Sequence, residues 1–366
     1  MNKIVTWIVV VAVVVVGGYA LFKGKPSFVA NNEPIKIGVI VPLTGDLAFI
    51  GEAARNGANL AIDKVNANTG LKHKYSLIVE DDSFDAKKTA SAINKLMSID
   101  KVDAVISLSS TGGNVVAPIA EQNKLPHIGL ASDSNVAKGD YNFIHWTRPQ
   151  EEVDMMISEL VKRKLTKVAI IGVNQQGFKA INDDLVNKSS GAGITVVGNE
   201  VFNPGDKDFK TTISRAGKNN PDIYILGAFT PELEILAKQM KDLGVKQPLT
   251  SIESFGITDK PAIFEGQWFV DAAVSSGGFN DEYKTKYGKE VGPASANTYD
   301  AVNLFVMAVE ATGNYGRPTG AEIVKQLLKV SDYSSAFGKL SVSPEGEFIS
   351  QPSVKIIKDG KAVEVK

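Results

Sequence analysis

From Ile35 onward the chain alternates short β-branched runs with longer stretches of helical periodicity, and this alternation limits its possible folds more than any other feature. Successive β-α-β units of this kind build parallel sheets covered by helices. The runs Ile35 to Val41, Lys167 to Val173 and Asp222 to Leu226 are apolar almost throughout, as strands buried on both faces require. The stretches Glu52 to Val65, Ala86 to Met97 and Pro231 to Leu243 place their apolar residues at helical spacing and predict core-facing helices. At 366 residues the chain exceeds one ordinary core, so two lobes are expected, at roughly 100 to 200 residues each. The expected fold class is α/β, with two doubly wound parallel-sheet lobes joined by three crossovers and preceded by one N-terminal apolar helix.

Three places suit a passage between lobes. The strand-like Phe143 to Trp146 runs through Thr147 and Arg148-Pro149 into a long helix, Glu151 to Arg163. The Ser-Ser-Gly-Gly tetrad within Ala273 to Gly278 absorbs dihedral change easily. A third passage is expected near Ser343 to Ser353. The resulting division gives a first lobe of residues 33–148 plus 277–345 and a second of 149–276 plus 346–366, with 1–32 as a separate leader. In an open α/β fold of this kind the ligand belongs at the carboxyl ends of the strands, between the lobes.

The leader is an export or anchoring element. Ile4 to Phe22 has no charge, is flanked by Lys3 and Lys23, and approaches the roughly 20 residues that span a bilayer. Gly18-Tyr19-Ala20 could be a cleavage site, but the run is long for a signal peptide and is expected to stay as an anchor. Location outside the cytoplasm, tethered by this helix, follows.

Several function classes fall away. A net charge of −1 gives no nucleic-acid footprint, and the absence of cysteine removes thiolate metal sites, a cysteine nucleophile and lipoprotein acylation. No catalytic motif is present: there is no Gly-x-Ser-x-Gly, His-Glu-x-x-His or Walker loop. His73, His127 and His145 are scattered and read as structural; Glu80, Asp81 and Asp82 read as capping or solvated acids. No enzyme activity, metal or cofactor is expected.

What remains suits a zwitterion. Ser109-Ser110-Thr111-Gly112-Gly113 follows a strand and opens a helix, so hydroxyls, backbone amides and the positive helix end can converge on a carboxylate. An ordinary capping turn would have the same sequence. Glu253 lies just after a strand with no cation near it in sequence, and Asp133 stands past another strand in Leu130-Ala131-Ser132-Asp133; either could anchor an ammonium group. Phe49, Trp146 and Phe229 stand at comparable strand ends and could wall the apolar part of a ligand.

At this point the sequence resembles the type I periplasmic-binding-protein family, specifically its leucine/isoleucine/valine-binding group. The resemblance is carried by Ile37-Gly38-Val39-Ile40-Val41-Pro42-Leu43-Thr44-Gly45, by Gly51 and Gly57-Ala58-Asn59-Leu60-Ala61-Ile62, by Ala117-Pro118-Ile119-Ala120-Glu121, and by the Glu253 loop. It implies an extracytoplasmic solute-binding protein that closes on an amino acid or related small amine or amide solute and delivers it to ABC permease subunits, acting as a monomer. A membrane-tethered ligand sensor on the same fold is the alternative. It also implies that Ser110, next to Thr111, lies in the serine loop that binds the ligand carboxylate, that Ala131 contributes a backbone carbonyl beside Ser132, that Glu253 binds the ammonium, and that Phe229 and Phe49 line the pocket and its entrance. Two positions depart from the family pattern: Asp133 replaces a hydroxyl residue, which would bring two acids to one pocket, and Gln176, within Gln175-Gln176-Gly177, stands where a tyrosine precedes glycine.

Overall fold

The computed structural model describes residues 33–365, so the apolar segment Ile4–Phe22 and its tether lie outside the described residues. Among the described residues no helix is long and apolar enough to cross a membrane.

The strands of the first lobe are β1 (Ile35–Val41), β2 (Tyr75–Asp81), β3 (Ala104–Leu108), β4 (His127–Leu130) and β5 (Asn142–Thr147). Between them run α1 (Ala48–Ala67), α2 (Ala86–Lys95) and α3 (Ser110–Gln122). The second lobe follows with α4 (Pro149–Lys162), β6 (Lys167–Val173), α5 (Gln176–Ser189), β7 (Thr195–Phe202), α6 (Lys210–Ala216), β8 (Ile223–Gly227), α7 (Glu232–Asp242), β9 (Leu249–Ser251) and β10 (Trp268–Ala272). The chain then returns to the first lobe with α8 (Gly277–Tyr287), α9 (Ser295–Ala311), α10 (Gly320–Leu327), the hairpin β11 (Tyr333–Ser335) and β12 (Gly338–Leu340), and β13 (Glu347–Ser350). It ends on β14 (Pro352–Lys358) and β15 (Lys361–Glu364).

The first sheet has the order β13-β5-β4-β3-β1-β2 with every pairing parallel. The second is β7-β6-β8-β9, also parallel, and one bridge from Ile252 to Val270 links it to the antiparallel β10-β14-β15. Each lobe has its own core: α1 and α9 bury their small and aliphatic residues on the first sheet, while Phe209, Phe255, Phe264 and Phe269 fill the second. The apolar strands persist because helices cover both sheet faces, leaving alternation no solvent side to follow.

The sequence reading placed residues 346–366 in the second lobe, but β13 pairs in parallel with β5 and belongs to the first sheet. Phe348 explains it: fully buried, it stacks on Phe143 at 5.8 Å and meets His145 edge-on at 6.3 Å. The last passage between lobes therefore falls between Ser350 and Pro352.

The three histidines are held as parts of this framework. His127 is fully buried between Ser107, 2.8 Å from Nε2, and Asn142 Oδ1, 2.9 Å from Nδ1. Burial pushes it down to about 4, so the neutral ring donates to Asn142 and accepts from Ser107. His145 faces Asp300 at 3.4 Å, and His73 faces Glu310 at 3.1 Å.

Candidate functional site

The carboxyl ends of both sheets face one cavity of about 100 Å³. From the first lobe it is lined by Ser109, Ser110 and Thr111 after β3, Ala131 and Ser132 after β4, and Trp146 on β5. From the second come Gln175 and Gly177 after β6, Phe229 after β8, and Glu253 after β9.

One polar part of the lining is the N-terminus of α3. Ser109 has a left-handed backbone, φ 81°, and its hydroxyl accepts from Gly112 N at 3.0 Å, which turns the chain out of β3 and into the helix. Ser110 and Thr111 follow as the first helical residues, so their hydroxyls and amides are presented together with the positive helix end. The Ser110 hydroxyl accepts from Asp133 N at 3.1 Å, joining the β3 and β4 loops.

The other is Glu253, whose backbone is also left-handed, φ 65°, and is fixed by Glu253 N to Val270 O at 2.8 Å and Gly256 N to Glu253 O at 2.7 Å. A non-glycine residue held in this region concentrates strain where the fold needs a side chain aimed in a set direction. The carboxylate accepts from Ser132 Oγ at 3.1 and 3.3 Å and from Trp146 Nε1, both in the first lobe. Burial pushes Glu253 up to about 7, and the negative charge of Asp271 adds to the rise against the hydrogen bonds from Trp146 and Ser132.

The remaining walls are largely apolar. Phe84 meets Phe229 edge-on at 5.5 Å across the lobes, and Ile50, Phe178 and Ile257 complete the lining with Trp146. Phe178 lies over β6 and β8 because Gly172 and Gly227 leave room for it; a Cβ at either would stand 2.1 Å from the ring.

Three expected site residues point elsewhere. Phe49 packs on the first lobe's core while its neighbour Ile50 lines the cavity, since consecutive helical residues point about 100° apart. Asp133 is turned away from the cavity: it caps a short 3₁₀ turn by accepting from Asn135 N at 3.0 Å and also accepts from Asn114 Nδ2 at 2.8 Å. The cavity therefore has one acid, not two. Gln176 lies at the rim, where its Oε1 accepts from the same Asn114 at 2.8 Å and ties α3 to α5 across the cleft.

Several lining residues stand outside those the sequence singles out, among them Phe84, Ile257, Phe178 and Asn182. Phe84 and Ile257 lie in irregular loops with no periodicity to mark them, while Phe178 and Asn182 sit on α5, where an apolar and a polar residue look like ordinary helix positions. Of these four, Phe84 alone had a signal, because it closes the acidic end of β2. Asp81 and Asp82 there are committed to the surrounding loops: Asp81 accepts from Leu43 N after β1 and from Ser83 N, both at 2.8 Å, and Asp82 from Phe84 N at 3.0 Å and Thr89 Oγ1 at 2.9 Å. No cluster of three potential metal ligands occurs among the described residues.

Comparison with known proteins places this geometry in context. Residues 34–354 match the model of a family described as periplasmic binding protein. The chain is 29% identical over 353 residues to the Leu/Ile/Val-binding protein homolog 3 of Brucella melitensis, covering 91% of this chain and 94% of that protein. It shares its fold with a leucine-binding protein, LivK, from Thermotoga maritima, with a TM-score of 0.81 at 23% identity, covering 91% of this chain and 98% of that one. A solute-binding protein from R. palustris solved in complex with benzoate also has a TM-score of 0.81, at 16% identity, covering 91% and 96% of the two chains.

Proposed function

We propose, for a chain that belongs to the periplasmic binding protein family, that the solute is a small apolar α-amino acid held between the two lobes and passed to an ABC permease. A family of this kind places the chain outside the cytoplasm and makes it a binder of solutes, not an enzyme. The observation that carries the finer reading is that a helix N-terminus and a single acid line the same largely apolar cavity, linked through the adjacent Ser132 and Asp133, as the neighbouring carboxylate and ammonium of an α-amino acid require. The N-terminus of α3, with Ser110 and Thr111, offers donors to a carboxylate, and Glu253 offers an acceptor to an ammonium.

The orientation of Asp133 supports a ligand with a single ammonium group, since it leaves Glu253 as the acid lining the cavity. The walls formed by Phe84, Trp146, Phe178 and Phe229 suit an aliphatic or aromatic side chain better than a charged one. Closure is driven by the ligand's better fit to the joined lobes, so a ligand that touches one lobe only is held weakly. Ser132 and Trp146 already reach Glu253 from the opposite lobe, which supports this residue as the point where closure and amine recognition meet. Tethering of the chain by its leader, and its action as a monomer, belong to the same proposal.

The test is a thermal-shift screen of the full chain, denatured and refolded to strip carried solute, against the standard amino acids, aromatic carboxylates, polyamines and short amides. Stabilisation by apolar amino acids supports the reading. Stabilisation by carboxylates that lack an amine, with silence from every amino acid, overturns it.

A further inference from the structure

Behind Glu253 lies a second acid with no part in the site as described so far. Glu152, in the first turn of α4, is fully buried, and neither of its carboxyl oxygens accepts a hydrogen bond among the described residues. An ionised carboxylate without donors in such surroundings is among the most costly arrangements a protein can hold. The charged groups acting on it are Glu253, Asp271 on β10 and Lys355 on β14. Lys355 is already engaged by Asp271 at 2.9 Å, so it gives Glu152 little relief.

α4, which carries Glu152, packs on β10, and Glu253 is bonded through its backbone N–H to Val270 O of the same strand, which brings the two carboxyl groups together within hydrogen-bonding reach. Two carboxyl groups can use such a contact only if one of them keeps a proton. Glu253 receives donors from Ser132 and Trp146, which favour its ionised form, whereas Glu152 receives none. The proton therefore belongs on Glu152. Placing it there turns the orphaned acid into a donor and removes its buried charge, and it gives Glu253 a third donor beside Ser132 and Trp146.

We propose that Glu152 is a positioning residue for the ammonium subsite, staying protonated and donating to Glu253 so that Glu253 is the one ionised acid the ligand meets. Burial and the neighbouring charges of Glu253 and Asp271 push Glu152 well above the usual carboxylate range, in line with this arrangement. The contact is internal to the second lobe, because α4 packs on β10 and β14; when the lobes part, water takes the place of Ser132 and Trp146 on Glu253 while Glu152 stays packed inside its own lobe, so the proton stays on Glu152. The pair then carries a single negative charge, which matches one ammonium and disfavours ligands with two cationic groups. This inference rests on the reading of Glu253 as the ammonium anchor.

The experiment is carbon-13 NMR of the ligand-free full chain labelled at the glutamate carboxyl carbons, titrated from pH 4 to 9 in the wild type, Glu152→Gln, Glu152→Met and Glu253→Gln. The signal missing from Glu152→Gln is expected at the carboxylic-acid position through pH 7. The Glu253 midpoint is expected to stay in place in Glu152→Gln, which keeps a donor, and to rise by about one pH unit in Glu152→Met, which has none. Titration of Glu152 in the ordinary range near about 4.3 overturns the proposal. So does a fall of the Glu253 midpoint in Glu152→Met, the result if Glu152 were a repelling carboxylate. Because no ligand is added, failure of the amino-acid screen and failure of this titration are separate results.

Discussion

The hydroxyl of Ser132, at the end of β4 in the first lobe, donates to Glu253 of the second lobe at 3.1 Å, so the acid that faces the cavity is also a tie between the lobes. Removing the hydroxyl takes one donor from the closed state only. Ser132→Ala is expected to weaken solute affinity by about fivefold, the equivalent of about 1 kcal/mol for one hydrogen bond, and to leave the melting temperature of the ligand-free chain within about 2 °C. Calorimetric titration beside a melting curve checks both halves of the prediction.

The edge-on contact of Phe84 with Phe229 also crosses the cleft, at 5.5 Å. Phe84→Ala is expected to lower affinity roughly three- to tenfold, from an aromatic pair worth about 0.5 to 1.5 kcal/mol. Solution scattering of the variant at saturating solute is expected to show the same compaction as the wild type; failure to compact would mean the pair holds the closed state together instead of tuning it.

The two acids of the second lobe set a pH dependence with a definite sign. Glu152 and Glu253 are both raised in the folded chain, chiefly by burial. The folded state therefore binds more protons than the unfolded one above the ordinary carboxylate range, and stability falls as pH rises from there, for Glu253 through about 7. Glu152→Gln has no proton to lose at this position, so its urea-unfolding free energy is expected to fall less steeply between pH 5 and 8 than that of the wild type. Equal slopes would show that Glu152 titrates alike in both states.

His127 acts in the opposite direction. Its folded-state value is depressed to about 4, against an ordinary value near 6.5, so the unfolded chain takes up a proton first. Stability contributed by the neutral ring is present above about 6.5 and is lost as pH falls through 4. His127→Gln, which keeps a donor and an acceptor between Ser107 and Asn142, is expected to remove this acid-side loss in urea titrations.

Much of the fold could be read from strands whose burial on two faces erases alternation: the runs at Ile35 and Lys167 coincide with β1 and β6 to the residue. The end of the first lobe was harder to place, because β13 is four residues long and is fixed by the contacts of Phe348, which lie about 200 positions away in sequence. At the site, Ser110, Thr111 and Glu253 were visible because strand-to-loop junctions point their side chains at the cleft. Asp133 occupies a similar junction, yet its short side chain folds back to cap its own turn, a choice made by Asn135 and Asn114 and not by spacing. Glu152 looked like an ordinary first-turn acid of an amphipathic helix; only the packing of α4 on β10 and β14 shows that it is buried beside Glu253.

The central claim is that Glu253 holds the ammonium group of an amino-acid solute, and the most direct measurement compares two ligands on two proteins. Calorimetry of the full chain and of Glu253→Gln would be run with the amino acid that gives the largest thermal shift and with the same molecule lacking its amine. For the wild type the amino acid is expected to bind at least about tenfold more tightly than the amine-free acid, as a charge-assisted hydrogen bond of about 1.5 to 3 kcal/mol requires, and Glu253→Gln is expected to abolish that preference. Equal affinity of the wild type for both ligands, or a preference that survives in Glu253→Gln, would contradict the account.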